Sequence, residues 1–557
     1  MIEELTSQVL LMGLLFVVFL APPLALAIGL VLLALYRRAV VAAMARPAKG
    51  SAPLTAGPDP SPRVEPVGAG DASGLDGELP AALLRDRKRA IVRVCVAGVA
   101  YAATIAVALI VAMESMRTPL GAALGAWGAF WPVIPALWLT VPGGGRAALV
   151  AALIYLMPLA ALAIVAVFAS GDATDMEALV LSIRAGWSPP ELIRAWLLMD
   201  AVPTASLLLV LNRWTRAVGP LALAFASLLL AGLAGAYLAL ASTRGVATLL
   251  RLAAVSKVDP ATLENTLLLV VLGAGVVIGW VAVGRVRRSY SSKRANDRSL
   301  TLDGVWLVFA AFHSMLFALV GLGWVLAGLV AFVVWRIALG LVPVATAAER
   351  RTHPQGLVFL RVFALGRRTE KLFDALSRYW RHRGSVQLII GPDLVRSTVQ
   401  PHQMLDFVSG QLAHHFIGDA ASLRRQIDAC DRARDRDGLY RINSLFCHAD
   451  TWESALAALV GQGDRVLMDL RSFGPSNDGC RAELEHLVHH VPLGRCVWVV
   501  DAGTNADFLA RTLDAAWRTM PADSPNAAIG RGSAPLYRLA GGWHGIGRLL
   551  DRLAAAT

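Results

Sequence analysis

The stretch Arg465–His490, RVLMDLRSFGPSNDGCRAELEHLVHH, decides how the last third of this chain folds. Val466–Leu470 is a short apolar run of the kind that forms a buried strand, and a loop and a helix that begins near Asn477 follow it. Ligand sites of open α/β sheets lie where the parallel strands end. The loop after Leu470 is therefore the first place to look for a functional site.

The sequence on both sides of this stretch repeats the same pattern. Short apolar runs alternate with amphipathic stretches, which predicts an α/β domain over residues 350–557 with a mainly parallel, doubly wound sheet. The predicted strands are Leu357–Ala364, Val386–Ile390, Tyr440–Phe446, Val466–Leu470, Cys496–Val500 and an edge strand at Leu536–Leu539. The predicted helices are Arg368–His382, Pro401–Phe416, Ala421–Arg434, Thr451–Val460 with Asp450 as its cap, Asn477–His490, Ala506–Met520 and Gly545–Ala555.

The composition of the whole chain indicates an integral membrane protein. Of 557 residues, 56% are hydrophobic, and the mean hydropathy is +0.57, which excludes an ordinary soluble enzyme. The formal net charge is +12. Because Arg and Lys accumulate on the cytoplasmic side of membrane proteins, we expect the bilayer as a partner and no nucleic acid. The five cysteines have no disulfide-like spacing, which fits a reduced compartment.

The hydropathy pattern predicts an all-α bundle of about nine transmembrane helices. We interpret residues 1–44 as an N-terminal anchor, 45–89 as a flexible Pro/Gly-rich linker and 90–348 as the bundle. The strongest basic clusters fall on one side, which the positive-inside tendency assigns to the cytoplasm. The chain is then a multi-pass protein of the inner (cytoplasmic) membrane, with its N-terminus outside and its C-terminus in the cytoplasm. The apolar runs are Leu10–Tyr36, Ile91–Met113, Gly121–Val141, Ala147–Ala169, Ala195–Leu211, Ala217–Ala241, Leu267–Val286, Val305–Leu322 and Trp324–Val342.

Three polar residues lie inside predicted spans, Asp200, His313 and Arg336, and such residues are functional candidates. Asp200 lies near a predicted outer boundary, where its side chain can reach water. His313 and Arg336 either line a polar path or are structural, with Arg336 reaching the interface and His313 bound to a backbone carbonyl. No third polar partner completes a relay in the sequence. Gly275 and Gly279 fit either a dimer face or ordinary packing within the bundle.

The order of elements in Ser454–Asp501 resembles a known domain family. A helix ends at Val460, the strand VLMDL and the loop RSFGPSND follow, and the next helix opens with Cys480-x-x-Glu483-Leu484. The first predicted strand and helix, VFLRVFALGRRTEKLFDAL, are similar in kind to the opening of that family. Together these segments resemble a TIR (Toll/interleukin-1 receptor) domain, which is flavodoxin-like, at about residues 357–501.

The resemblance implies a chemistry as well as a fold. TIR domains that cleave NAD use the glutamate of the Cys-x-x-Glu element, here Glu483, as the catalytic residue, so NAD is a possible cofactor. A carboxylate there would stabilise the positive charge that develops as nicotinamide leaves, and Arg367 and Arg368 could hold the pyrophosphate. Alternatively, Glu483 is an acid favoured by the helix N-terminus, and the domain binds partners without catalysis, as many TIR-like domains do.

Further charged residues lie at or just past the predicted strand ends. Asp469, Arg471 and Asp501, with Asp393 just past another strand, either bind a ligand or a metal or pair with one another in an internal network. The sequence has no CxxC or HExxH spacing, so no metal site is predicted.

Three functions are compatible with these patterns. The first is a membrane-anchored signalling or interaction protein with a cytoplasmic TIR-like domain, which acts through homo-oligomers or protein partners. The second is a membrane-tethered NAD-consuming hydrolase that uses Glu483. The third is a transporter or channel with a cytoplasmic regulatory domain, for which Asp200, His313 and Arg336 are the candidates.

Overall fold

The chain divides into two compact units, Met1–Ala34 with Arg87–Pro343 and Leu35–Asp86 with Val344–Thr557. Residues 35–44, predicted as the end of the anchor, and residues 45–48, predicted as the start of the linker, belong to the second unit in the structure. The computed structural model describes residues 2–48, 75–117, 119–141, 145–168, 196–211, 215, 218–342, 354–362, 367–391, 399, 401–435, 437–529, 534–539 and 543–556.

Helices long and apolar enough to cross a bilayer lie mainly in the first unit. Six reach that length, at Leu20–Met44, Leu84–Ala112, Gly121–Thr140, Gly219–Tyr237, Pro260–Ser291 and Asp297–Phe317. Shorter apolar helices at Gly145–Pro158, Met199–Val210 and Ala327–Leu341 fall on three further predicted spans. By helix length and composition the chain is a membrane protein, while the count of nine crossings and the orientation of the termini stay predictions.

The second helix begins earlier than predicted. It starts at Leu75, inside the segment predicted as a linker, and residues 49–74 of that segment lie outside the described part. Leu, Ala and Arg are strong helix formers, and they are frequent between Leu79 and Arg89. The helices are α1 (Ile2–Met44), α2 (Leu75–Ala112), α3 (Pro119–Gly128), α4 (Val133–Thr140), α5 (Gly145–Phe168), a π-helical turn (Leu197–Ala201), α6 (Val202–Val210), α7 (Gly219–Ala241), α8 (Thr243–Ser256), α9 (Pro260–Ser291), α10 (Asp297–Val320) and α11 (Ala327–Leu341).

Helix α10 lies in the core of the first unit. Asn296 and Ser299 form a reciprocal capping box at its start, which satisfies backbone donors that a helix leaves unpaired. The helix packs against α4, α7 and α11, and Trp306, Phe309 and Phe312 on it are buried. The interior of the first unit is therefore organised around α10.

Gly275 and Gly279 of α9 face α7. A side chain built at Gly279 would collide with Phe225, and one at Gly275 would come within 2.6 Å of Leu229. Small residues at these positions therefore permit close approach of the two helices. The interpretation of this pair as ordinary packing within the bundle is confirmed.

The second unit contains a seven-stranded sheet in which all the neighbouring strands are parallel. Its spatial order is β3-β4-β2-β1-β5-β6-β7, so strands are added on one side of β1 up to β4 and on the other side from β5 onward. The strands are β1 (Leu357–Arg361), β2 (Val386–Ile390), β3 (Phe416–Ile417), β4 (Ile442–Cys447), β5 (Arg465–Asp469), β6 (Cys496–Val500) and β7 (Leu536–Arg538).

This strand order differs from that of flavodoxin-like sheets, 2-1-3-4-5. With the two-residue β3 set aside, the order by position in the chain is 3-2-1-4-5-6, which is the order of dinucleotide-binding sheets. The C-terminal parallel sheet is thus as predicted, but its order departs from the flavodoxin-like arrangement that the TIR resemblance implies.

Helices connect the strands and cover the sheet. They are α12 (Arg367–Trp380), α13 (Pro401–Val408), α14 (Ala420–Asp428), α15 (Trp452–Gln462), α16 (Asp478–His490), α17 (Ala506–Arg518) and α18 (Trp543–Ala555). Successive side chains of a strand point to opposite faces. Phe359 contacts Phe373 of α12, with ring centroids 5.3 Å apart, whereas Val358 and Leu360 join a core that includes Leu459 of α15.

The predicted helix Pro401–Phe416 is wrong beyond its first half. Helix α13 ends at Val408, and Gly410 has φ +72°, a left-handed conformation that commonly ends a helix and favours glycine. A short 3₁₀ turn at Leu412–His415 then leads into β3, a strand that the sequence did not predict.

Asp450 does not cap the helix that follows it. Thr451 occupies the N-cap position of α15, and its hydroxyl instead accepts a bond from the His448 amide and donates to the Ile417 carbonyl. The Asp450 carboxylate accepts the Ala48 amide, at 3.0 and 3.2 Å to its two oxygens. The prediction was wrong because a residue distant in sequence provides the donor.

Candidate functional site

Three strands of the sheet end side by side at the point where the order of strand addition reverses. In the register, Arg361 of β1 pairs with Asp469 of β5, and Asp469 pairs with Val499 of β6. Asp501 follows β6, and Arg368 lies in the first turn of α12. The structure therefore brings Arg368, Asp469 and Asp501, predicted from strand ends, to one edge of the sheet.

Asp469 and Arg471 form a buried ion pair at the end of β5. Arg471 donates from Nε and Nη2 to the two carboxylate oxygens, each at 2.7 Å. Arg471 is 7% exposed and Asp469 is 0% exposed. Arg471 Nη2 also donates to the Arg368 carbonyl at 3.1 Å, and the Thr369 hydroxyl lies 3.5 Å from Asp469 Oδ2. Bidentate pairing satisfies both charges within the protein.

Arg368 and Asp501 form a second ion pair that solvent reaches. Arg368 Nη2 lies 2.6 Å from Asp501 Oδ2, and the Arg368 side chain is 58% exposed. Asp501 Oδ1 accepts the Gly503 amide at 2.9 Å, and Arg368 Nη1 donates weakly to Ser472 Oγ at 3.4 Å. Ser472 has φ +60°, which is uncommon outside glycine. Arg368 is thus a cation that a ligand can reach at this edge.

The structure does not describe the side chains of two other predicted residues, Arg367 and Asp393. Arg367 is the first residue of α12, but the placement of its side chain lies outside the described part. Asp393 lies outside the described residues altogether. Their predicted roles in binding stay predictions.

Glu483 lies on the buried face of α16, not at a solvent-exposed helix end. It is 2% exposed, and burial raises its pKa to about 8, opposed by the positive charge of Arg361. Its Oε2 has no hydrogen-bond partner among the described residues. At neutral pH the side chain is therefore mostly uncharged.

Cys480 of α16 is shielded as well, whereas His486 is half-buried and His490 is exposed. Cys480 is 1% exposed, and burial raises the pKa of its thiol, which disfavours the thiolate that a nucleophile requires. Burial and the neighbouring His490 and His489 lower the pKa of His486 to about 4. Within the described part of the chain, no three His, Cys, Asp or Glu side chains converge as metal ligands.

Arg361 is a site residue that the sequence reading missed. It lies at the end of the apolar strand LVFLR, is 2% exposed and donates to the Ile389 carbonyl at 3.1 Å. The signal was present, because a charged residue inside an otherwise apolar strand is rarely buried without a partner. Its charge acts on Glu483, so it links the strand end to α16.

The polar residues of the first unit have partners other than those predicted. Arg336 pairs with Asp303, and His313 Nδ1 is bonded to the Tyr101 hydroxyl at 2.6 Å rather than to a backbone carbonyl. Asp200 is 1% exposed, so the expectation that it reaches water is wrong. Tyr101 was not a candidate in the sequence, because a single tyrosine in an apolar helix carries no distinctive pattern.

Comparison with known proteins does not identify a family for this chain. The chain matches no protein-family model, no curated protein and no solved structure, so the TIR relationship stays a prediction from the residues of Ser454–Asp501.

Proposed function

We propose that the chain is a membrane-anchored signalling protein whose C-terminal α/β domain lies in the cytoplasm and acts by binding further copies of itself or other proteins. The observation that carries the proposal is the attachment of residues 36–48 to that domain within the second unit. A flexible linker alone would not transmit a movement of α1 to the domain. Hydrogen bonds between residues 36–48 and the domain can transmit such a movement.

The attachment consists of contacts with α13 and with the residues after β4. The Tyr36 hydroxyl donates to Gln403 Oε1 at 3.4 Å, and the Tyr36 ring meets the edge of Phe407 with centroids 5.6 Å apart. His448 Nδ1 is bonded to the Ala43 carbonyl at 2.8 Å, close to the bond between Asp450 and Ala48. These contacts fasten the end of α1 to α13 and to the residues that follow β4.

Catalysis by Glu483 is disfavoured by its surroundings. The carboxyl group is buried and mostly neutral at pH 7, whereas the oxocarbenium-like transition state of NAD cleavage needs a negative charge beside it. The NAD-consuming alternative therefore requires α16 to open, and we rank it below the interaction function.

Ligand binding at the edge of the sheet is a second candidate function that a specific observation favours. The strand order supports a doubly wound sheet, in which ligands bind where the order reverses, here between β1 and β5. Arg368 supplies an exposed cation at that place. Titration of the full-length protein with NAD, followed by protection of Arg368 from a guanidine-modifying reagent, tests this candidate.

Energy transfer between two tagged copies in one cell tests the signalling proposal. Each full-length copy carries a fluorescent protein at its C-terminus, and we expect transfer that changes in Asp450→Ala and His448→Ala while membrane content stays constant. Asp523→Ala, which removes an exposed carboxylate elsewhere, is the control. Equal transfer in all variants, or labelling of the C-terminus from the extracytoplasmic face, would overturn the proposal.

Nicotinamide release separates the proposal from the enzymatic alternative. We expect no release when the full-length protein is incubated with NAD. Release that disappears in Glu483→Gln would replace the interaction function with hydrolysis.

A further inference from the structure

One side of helix α9 is apolar and exposed along the membrane span and ends in two arginines. No residue of α9, which is described throughout, is buried, and Val277, Ile278 and Val281 are exposed. In a helix that crosses a bilayer such side chains face lipid tails. Arg285 and Arg288 follow, and both are exposed. Residues 277, 281, 285 and 288 are three or four positions apart, so they share one side of the helix.

The length of the apolar run of α9 places Arg285 and Arg288 at the level of the lipid headgroups. Leu267–Val286 matches the thickness of the hydrocarbon core, about 30 Å at about 1.5 Å per residue, so Arg285 lies at its end and Arg288 almost one turn beyond. Trp280 is exposed about 7.5 Å before Arg285 along the axis, and tryptophan is enriched where lipid tails meet water. Both guanidinium groups can therefore reach lipid phosphates.

Neither Arg285 nor Arg288 has an acidic partner among the described residues. Arg288 Nε donates to the Gly284 carbonyl at 3.4 Å, which leaves its two terminal nitrogens for another acceptor. A side chain built at Gly284 would meet nothing within 4 Å, so the surface beside Arg288 is open. Arg336 of α11, by contrast, pairs with Asp303. The positive charge at the end of α9 is thus left for a ligand.

The turn after α9 adds a third exposed arginine. The Ser289 carbonyl accepts the amides of Arg294 and Ala295, at 2.8 and 3.0 Å, which folds the chain back against the last turn of α9. Arg294 is exposed, and it too has no acidic partner among the described residues. The turn therefore holds a third positive charge at the same end of α9 as Arg288.

We propose that Arg285, Arg288 and Arg294 bind the phosphate of an anionic phospholipid whose acyl chains lie along the exposed apolar side of α9. Arginine forms bidentate bonds to phosphate, and clusters of basic residues at the end of a transmembrane helix attract anionic lipids. A zwitterionic headgroup brings its own cation, which opposes this attraction. The bilayer presents lipid phosphates at this depth, whereas a soluble phosphate has to reach the same arginines from dilute solution, so the lipid is the source of the anion.

Binding of a phosphatidylglycerol that carries a fluorophore on its acyl chain tests the site. The full-length protein in micelles of a neutral detergent is titrated with this lipid and with the matching phosphatidylcholine, and fluorescence anisotropy reports binding. We expect phosphatidylglycerol to bind more tightly, and its affinity to fall about 30-fold in the double variant Arg285→Gln with Arg288→Gln and about fivefold in each single variant. The preference should also weaken in about 1 M salt.

A matched control removes the same charge elsewhere. Arg424→Gln with Arg425→Gln alters two exposed arginines of α14 in the second unit and should leave the affinity unchanged. Arg285→Lys with Arg288→Lys keeps both charges and should retain most of the preference for phosphatidylglycerol, because lysine still binds phosphate as a point charge.

Each outcome decides the proposal. The single variants remove one exposed charge and are expected to fold, so they report on the site even where the double glutamine variant fails to insert. Equal affinity for the two lipids, unchanged affinity in the glutamine variants, or a loss in the lysine variant as large as in the glutamine variant overturns the site. Displacement of the lipid by an equal concentration of inorganic phosphate identifies a soluble anion and overturns the assignment to lipid.

Discussion

At the edge of the sheet, the buried carboxylate of Asp469 accepts two bonds of 2.7 Å from Arg471, whereas inside the first unit Asp200 meets one tyrosine hydroxyl at 3.5 Å. Both carboxylates are almost fully buried. A buried charge with a bidentate partner is satisfied where it lies, and one with spare capacity can accept a proton or a ligand. The depth of burial alone therefore does not separate structural from functional charges. What separates them is whether the buried group has a partner that satisfies its hydrogen bonds.

Glu483 extends the comparison within the second unit. It is 2% exposed, but no arginine binds both of its oxygens in the described part of the chain. Burial therefore raises the pKa of Glu483. The second unit thus contains one carboxylate held in a bidentate ion pair and one whose pKa burial raises to about 8.

The largest effect is expected for Asp469→Ala. The change leaves the guanidinium of Arg471 buried without its carboxylate, which destabilises the second unit by about 3–5 kcal/mol. Pulse proteolysis of the full-length protein in increasing urea measures the loss as a shift of the midpoint. The double change Asp469→Leu with Arg471→Met removes both charges and should cost less; an equal cost would indicate that packing, and not charge, is responsible.

The next effect is the pH dependence that Glu483 creates. In the folded state the pKa of Glu483 is about 8, so the side chain keeps its proton up to that pH, while the unfolded chain loses it near the ordinary glutamate pKa of 4.5. The free energy of unfolding therefore falls as pH rises between these values, by at most about 1.4 kcal/mol per pH unit, and the loss is complete above pH 8.

Glu483→Gln should remove this slope and stabilise the second unit at pH 8 by on the order of 2 kcal/mol. The same urea midpoints, measured from pH 5 to pH 9, check the result. Glu485→Gln, on the exposed face of the same helix, is the control and should keep the slope. A slope that survives in Glu483→Gln would assign the titration to another group.

The contrast between these carboxylates was only partly visible in the sequence. The helical spacing of Cys480, Leu484 and Leu487, all buried, places Glu483 on the same face, so its burial could have been predicted. The bond that satisfies Asp469 follows from Arg471 two residues later. The lack of a partner for Asp200 Oδ1 among the described residues could not be predicted from the sequence, because it depends on how separate helices pack.

The same distinction explains which elements were predicted. Val386–Ile390 and Cys496–Val500 are confirmed at both ends, because an apolar run with polar or glycine boundaries is a local signal. The unexpected end of α13 depends on the left-handed conformation of Gly410. The role of Asp450 depends on Ala48, a partner that no local pattern indicates.

Asp450→Ala should have a smaller effect, because its bond to the Ala48 amide lies nearer the surface. Loss of this bond costs about 1 kcal/mol and should speed hydrogen exchange at Ala48 and its neighbours in the full-length protein. Asp450→Asn keeps an acceptor oxygen and should exchange more slowly than Asp450→Ala. Unchanged exchange in both variants would mean that Tyr36 and His448 alone hold residues 36–48.

The smallest effect is expected for Arg368→Ala. Its side chain is 58% exposed, and exposed ion pairs contribute about 0.5 kcal/mol because water and salt screen them. The urea midpoint should shift no more than in Arg511→Ala, an exposed arginine on α17, and the small shift should vanish in 1 M salt. A loss as large as that of Asp469→Ala would place Arg368 in the same structural network as Arg471. Little loss of stability together with loss of NAD binding would instead mark it as a ligand contact.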